Sequence, residues 1–378
     1  MKSENKLIQL GLFILTLVTT TIAGAEWTWG SSFINSFRPM GWHEFLTGFN
    51  YSIPFLLFLT THEFGHYFMA KYHKVEVSLP TYIPFWFGDM TSLGTMGAFI
   101  KLKDRIEDKI KYFDIGIAGP LAGFVVALLV LFYGFSNLPE LSYLFKIHPE
   151  YQKYGADYAK YVYDANQVGN VGIGENLLFS FLKNHIPAVK SLIPHPNEMI
   201  HYPLLLAGYL GLFFTSLNLI PIGQLDGGHI LYGLIGKKYH DKISPVIFVL
   251  YMTYFGIGTH TVDEYRYGNN EDFVYSLLYT AIYIYFLAVS FTSLTENRQL
   301  RIILALLVFI VQIGLNYFFK IEGYSGLLLF GFIVGRFLGV YHPETFDSQP
   351  IGKSRIILGV LALIIFVLTF SLHPFIIS

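Results

Sequence analysis

The sequence predicts an all-α polytopic membrane protein with a small membrane-associated β-hairpin region. Three observations point there. Hydrophobic residues make up 53% of the 378 residues and charged residues only 13%, the proportions of a bilayer-embedded chain and not of a large soluble core. Apolar runs that span a bilayer, or nearly so, recur at about 7–24, 49–70, 113–135, 201–220, 243–259, 272–294, 299–319, 324–341 and 354–376. Residues 78–103 are apolar too, but Pro80, Pro84, Gly88, Gly94 and Gly97 interrupt them. A stretch so punctuated does not span as a helix and is expected to form an extended hairpin that dips into the membrane.

Taken in order, the first run follows Lys2 and Lys6 and ends in Ala23-Gly24-Ala25, which fits both a transmembrane segment and a signal peptide with an A-x-A cleavage site. Trp27 and Trp29 behind it read as an interfacial anchor. The second run carries His62-Glu63-Phe64-Gly65-His66. On a helix the two histidines lie one turn apart on one face, so both can bind one zinc ion while Glu63 stands beside it to activate a water. Ionisable groups at membrane depth are costly and mark function. The bland alternative is a pair of satisfied histidines near a helix end. With no Cys in the chain, disulfides are excluded and a metal must be held by His, Asp or Glu.

Two histidines do not complete such a site. Asp226 is the best third ligand: it follows the fourth run in Asn218-Leu-Ile-Pro-Ile-Gly-Gln-Leu-Asp226-Gly227-Gly228-His229, where Pro221 and Gly223 break the helix. It also fits as a cap of the next helix, 227–236, and the two roles are compatible. His229 is near enough in sequence to support Asp226. Ala118-Gly-Pro-Leu-Ala-Gly123 opens the third run, and its small residues let that helix approach the second one. Within the outer segment 137–200, residues 174–186 have amphipathic spacing, with Leu177, Leu178, Phe181 and Leu182 on one face. That helix either lies on the membrane surface or packs against neighbours. The last three runs carry no ionisable residue at mid-span except Arg336 and read as a packing or gating extension.

With the amino terminus placed in the cytoplasm, inside segments hold sixteen Lys and Arg residues and outside segments eight, which favours that topology. The histidine pair then lies about 7–14 Å inside the cytoplasmic boundary, five to nine residues before Lys71 at the helical rise. A net charge of -1 with no basic stripe argues against nucleic acid as a partner.

HEFGH in a membrane helix followed by NLIPIGQLDGG in a later one resembles the site-2 protease family of intramembrane zinc metalloproteases. Gly94-Thr-Met-Gly97 and Ala118 to Gly123 continue the likeness, which covers at least residues 51–236. The resemblance implies a site-2 protease-like helical core in which His62, His66 and Asp226 coordinate one Zn2+, Glu63 is the catalytic acid/base, and Asn218 helps hold substrate or the developing oxyanion. Many members carry a second Pro where this chain has Gly223, a departure that touches the shape of the loop and not the ligand set. Nothing between the motifs reads as a PDZ module, so the compact type without that domain is expected.

The expected organisation is an N-terminal transmembrane segment or signal peptide with an outside loop over 1–48, a catalytic membrane core over 49–240 containing the outside loop 137–200, and C-terminal transmembrane helices over 241–378. The expected function is cleavage of transmembrane segments of other proteins near the cytoplasmic face, that is, regulated intramembrane proteolysis. Its partners are a transmembrane protein substrate and the lipid bilayer, in what is expected to be the cell membrane of a prokaryote; oligomeric state is not legible. Two other readings stay open: a catalytically inactive protease-like scaffold, and a transporter, which the spans alone permit although no internal repeat is visible.

Overall fold

The computed structural model describes residues 6–34, 40–88, 92–163, 171–266, 270–346 and 349–377. Lys2 and Arg38, counted above for orientation, lie outside the described residues. Each of the nine apolar runs is helical over most of its length, because a chain in lipid satisfies its amide groups within its own helix. Lys6–Trp29, Lys109–Ser136, Phe273–Ser293 and Arg298–Phe319 are long and apolar enough to cross a membrane. The chain is a helical membrane protein.

The chain divides into two compact units, one of Met1–Ile106, Ile117–Asn218 and Leu361–Ser378, the other of Glu107–Gly116 and Leu219–Val360. In the first, α1 (Lys6–Trp29) and α2 (Phe49–Tyr72) pack together, and β1 (Thr81–Phe85) and β2 (Gly94–Phe99) form the expected hairpin. The strands are antiparallel, pairing Thr81 with Phe99 and Phe85 with Gly94, with an irregularity between Tyr82 and Pro84 where proline has no N–H to give the ladder. Gly94 has φ +81, and a Cβ there would sit 2.3 Å from Thr20 Cα, so α1 lies directly on the strand. Thr19 Oγ1 donates to the Gly94 carbonyl at 2.6 Å, and the Tyr82 and Thr60 hydroxyls are bonded at 2.7 Å, which ties the hairpin to α2 as well. Trp27 departs from its expected place at an interface: it is buried and donates from Nε1 to the Ser92 carbonyl at 2.9 Å. An indole N–H taken out of water needs a partner, and the hairpin supplies one.

α3 (Lys109–Ser136) and α5 (Pro203–Asn218) complete the first unit's long helices, around a core that includes Tyr51, Phe55, Phe58, Phe135 and Tyr209. Between them run a short helix Ser142–Ile147, a 3₁₀ stretch Pro149–Asp157, β3 (Val171–Ile173), α4 (Leu177–His185) and a 3₁₀ turn Pro196–His201. β3 pairs antiparallel with β4 (Phe375–Ile377) at the far end of the chain. Asn176 caps α4 by accepting from the Phe179 N–H at 2.8 Å. This helix packs inward through Phe179, Leu178 and Leu182, while Leu177 and Phe181 stay exposed. The buried face is thus turned by about one residue from the one the spacing predicts.

The second unit contains α6 (Asp226–Ile235), α7 (Lys237–Phe255), α8 (Asn270–Ser290), α9 (Arg298–Phe319), α10 (Leu328–Ile333, prolonged by a π turn Val334–Leu338) and the first half of α11 (Lys353–Thr369). Arg355 grips Asp114 with two parallel bonds of 2.7 and 2.8 Å, the planar fork geometry that makes such a pair strong where water is scarce.

Candidate metal centre

His62, Glu63 and His66 lie in the C-terminal half of α2 and are all buried, at 4%, 7% and 6% exposure. These three polar groups are what lower the hydropathy of α2 below that of the four long apolar helices. The helical repeat brings the two imidazoles together with their Nε2 atoms 3.1 Å apart. A zinc ion bonded to two imidazoles at about 2.0–2.1 Å holds its nitrogens about 3.3 Å apart, so the pair fits one zinc with little movement.

The small residues of 118–123 make room for that pair. A Cβ on Gly119 would fall 2.1 Å from His66 Nε2, one on Gly123 3.2 Å from His62 Cβ, and one on Gly65 2.6 Å from the Ala118 carbonyl oxygen. α3 therefore crosses α2 at backbone distance, through glycines on both helices, as the sequence reading expects. Gly119→Ala is expected to displace the His66 ring and to weaken zinc binding by about 10- to 100-fold in chelator competition. A Gly119→Ala protein that matches wild type in zinc affinity would remove this packing from the site.

Asn218 ends α5 with its side-chain amide nitrogen 3.4 Å from His62 Nε2, so the structure brings Asn218 to the histidine pair. Asp226 belongs to the second unit, where it is the first residue of α6. The turn before it folds back tightly: a Cβ on Gly227 would lie 2.0 Å from the Leu219 carbonyl oxygen, and one on Gly228 2.2 Å from that of Gly223. The glycine pair after the aspartate is thus required by backbone packing. Gly223 itself has φ +51, a conformation closed to proline, and its N–H donates to Ser244 Oγ at 2.9 Å while that hydroxyl donates to the Val340 carbonyl at 2.6 Å. This explains the departure from the second proline noted above.

His229 stacks on Tyr112 at 5.1 Å and bonds His342 through its Nδ1, 2.8 Å from the partner's Nε2. His342 Nδ1 donates to the Pro343 carbonyl at 2.7 Å, so its Nε2 accepts and His229 donates. Burial holds His342 down at about 4, which keeps that acceptor in place at neutral pH. Sequence spacing gave no sign of this pair, whose members are 113 residues apart.

Comparison with known proteins follows the same residues. The profile of peptidase family M50 matches residues 50–258, a span that contains both motifs. The chain is 32% identical over 176 residues to the probable zinc metalloprotease EGY1, chloroplastic, of Oryza sativa subsp. japonica, which is 47% of this chain and 26% of that protein. It is 29% identical over 180 residues to the probable zinc metalloprotease EGY1, chloroplastic, of Arabidopsis thaliana, or 48% of this chain and 28% of the relative. A third similar protein, the probable zinc metalloprotease EGY2, chloroplastic, of Arabidopsis thaliana, is 27% identical over 192 residues, 50% of the chain and 29% of the relative. The chain thus spans less than a third of the length of these relatives. No solved structure matches it. With the family profile covering more than half of its residues, the chain belongs to peptidase family M50, the site-2 protease family.

Proposed function

We propose that this protein is an intramembrane zinc metalloendopeptidase that cuts transmembrane segments of other membrane proteins. The observation that carries the proposal is the buried His62–His66 pair, 3.1 Å apart with Glu63 beside it, in an otherwise apolar helix. Asp226 serves as the third ligand in this reading; its support is the motif it stands in and its place at a helix start, where the fixed turn 219–225 sets its position. Zinc bound there supplies Lewis acidity toward the scissile carbonyl and lowers the pKa of a coordinated water. Glu63 takes a proton from the attacking water and returns it to the leaving amine. Asn218, whose amide lies next to His62, offers an N–H to the oxygen that gains charge.

A helical peptide bond is shielded by its own hydrogen bonds, so the substrate must unwind locally. Helix-weakening residues in a substrate should therefore speed its cleavage. The exposed side of the hairpin, where Met96 and Phe99 stand out, offers a strand to which such an extended segment adds. Gly97 sits at φ +108, so a bulky residue there strains the hairpin itself and is a poor probe of substrate binding.

The Lys and Arg asymmetry supports a site on the cytoplasmic side, about 7–14 Å below the surface. The relatives named above are chloroplastic by name and do not support the expected prokaryotic cell membrane. The proposed division is 1–48, whose first run is a transmembrane segment or signal peptide, 49–240 and 241–378. The test is hydrolysis of a model transmembrane substrate in liposomes by zinc-loaded protein. Cleavage that a chelator stops and added zinc restores is expected. Bound zinc with no cleavage of any helical substrate would favour the inactive scaffold, and a protein that binds no zinc would favour the transporter.

A further inference from the structure

A second group of metal-binding side chains stands at the far end of α5 from Asn218. His201 closes the 3₁₀ turn that leads into α5, and its separation of seventeen positions from Asn218 places it about 25 Å away along the helix. Glu198 comes from the same turn, one 3₁₀ repeat earlier, and His148 from the bend after the helix Ser142–Ile147. His148 Nε2 and His201 Nε2 are 3.3 Å apart, and each is 3.7 Å from Glu198 Oε2. Three donors around one tetrahedral zinc ion, bonded at about 2.0–2.2 Å, form a triangle with sides of about 3.3–3.5 Å.

Hydrogen bonding on the outer sides of these rings fixes what faces inward. His201 Nδ1 lies 2.9 and 3.0 Å from the carbonyl oxygens of Trp27 and Thr28, which only accept, so Nδ1 carries the proton and Nε2 the lone pair. His148 Nδ1 faces the Glu150 carboxylate at 3.3 Å and is a donor for the same reason. Glu198 Oε1 accepts from the Tyr163 phenol and the Tyr151 hydroxyl also bonds this carboxylate, while Oε2 has no hydrogen-bond partner and the side chain is 1% exposed. With both rings neutral, three acceptors thus converge with no donor among them. One added proton satisfies a single contact of the three; a divalent cation satisfies all of them at once, and a buried carboxylate oxygen with no close partner is costly. Outer-side bonds to a backbone carbonyl and to a carboxylate are what zinc-ligating histidines make.

We propose that His148, Glu198 and His201 bind a zinc ion that fastens the outer segment to the carbonyl end of α1 and the start of α5. Two imidazoles and one carboxylate suit zinc better than calcium or magnesium, which take oxygen ligands. The site is independent of the His62–His66 pair and of any protease activity. Its signal in the sequence is the i,i+3 pair Glu198-Met-Ile-His201; the partner His148 lies 53 residues from His201 and leaves no pattern.

The experiment counts zinc in the untagged full chain after equilibration with zinc and removal of excess. His66→Ala protein is expected to hold one equivalent per chain, and the double variants His66→Ala with Glu198→Gln or with His148→Gln none. Gln keeps the size of Glu198 and its bond from Tyr163, so folding is not at stake in that substitution. As a second reading, cobalt titration of the otherwise unchanged protein should lose one equivalent on Glu198→Gln. Glu150→Gln should weaken the site about 10- to 100-fold. A His66→Ala protein without zinc, or a Glu198→Gln chain that binds as much metal as its parent, overturns the proposal. Failure of the first centre reads differently: His66→Ala would then hold as much zinc as wild type, with Glu198→Gln still losing its equivalent.

Discussion

Replacing Glu63 by Gln is expected to lower the rate of substrate cleavage by about 100- to 10,000-fold while zinc content stays at the wild-type level. The two side chains have the same shape, so the packing of α2 is kept, but an amide takes no proton from water. At 1.36 kcal/mol per tenfold, the loss amounts to about 3–5 kcal/mol of transition-state stabilisation. The pair of readouts matters. Zinc measured by elemental analysis, set beside cleavage in liposomes, separates loss of the proton acceptor from loss of the metal. Wild-type activity in Glu63→Gln would take that residue out of the chemistry.

Asp226→Ala is expected to act on the metal itself. With one of the three proposed ligands gone, zinc should be stripped by chelator at concentrations that leave wild type loaded, and cleavage should fall with it. Asp226→Asn, which keeps an oxygen at the same place without its charge, should fall between the two. Asp226 also starts α6, where a carboxylate favours the helix by about 0.3–1 kcal/mol. That contribution is too small to unfold the second unit, so lost zinc reports ligation and not collapse. Wild-type zinc affinity in Asp226→Ala would assign the third ligand elsewhere.

What was legible in the sequence follows from what is periodic. His62 and His66 are four apart on a helix, and helical spacing alone brings them to 3.1 Å. The hairpin was legible because Pro80, Pro84, Gly94 and Gly97 forbid a helix through an apolar stretch. The small residues of 118–123 pointed to close helix approach, and Gly119 against His66 is where that approach serves the site. Other features depend on pairs far apart in the chain. The Trp27 indole looks like a membrane anchor until the Ser92 carbonyl is seen to receive it, and His229 finds its partner in His342. Amphipathic spacing in α4 told that one face is buried but not which, since Phe179 is taken into the core by Phe135 and Tyr209 while Phe181 stays outside. Local pattern fixes elements; tertiary packing decides which polar groups meet.

The most direct test of the account locates the broken bond. Zinc-loaded protein is incubated in liposomes with a single-span substrate, and the new termini are read by mass spectrometry with Glu63→Gln as control. The account predicts termini inside the substrate's apolar span, toward one membrane face, formed by wild type alone. Cuts confined to the substrate's extramembrane segments, or products that Glu63→Gln forms equally well, would contradict it.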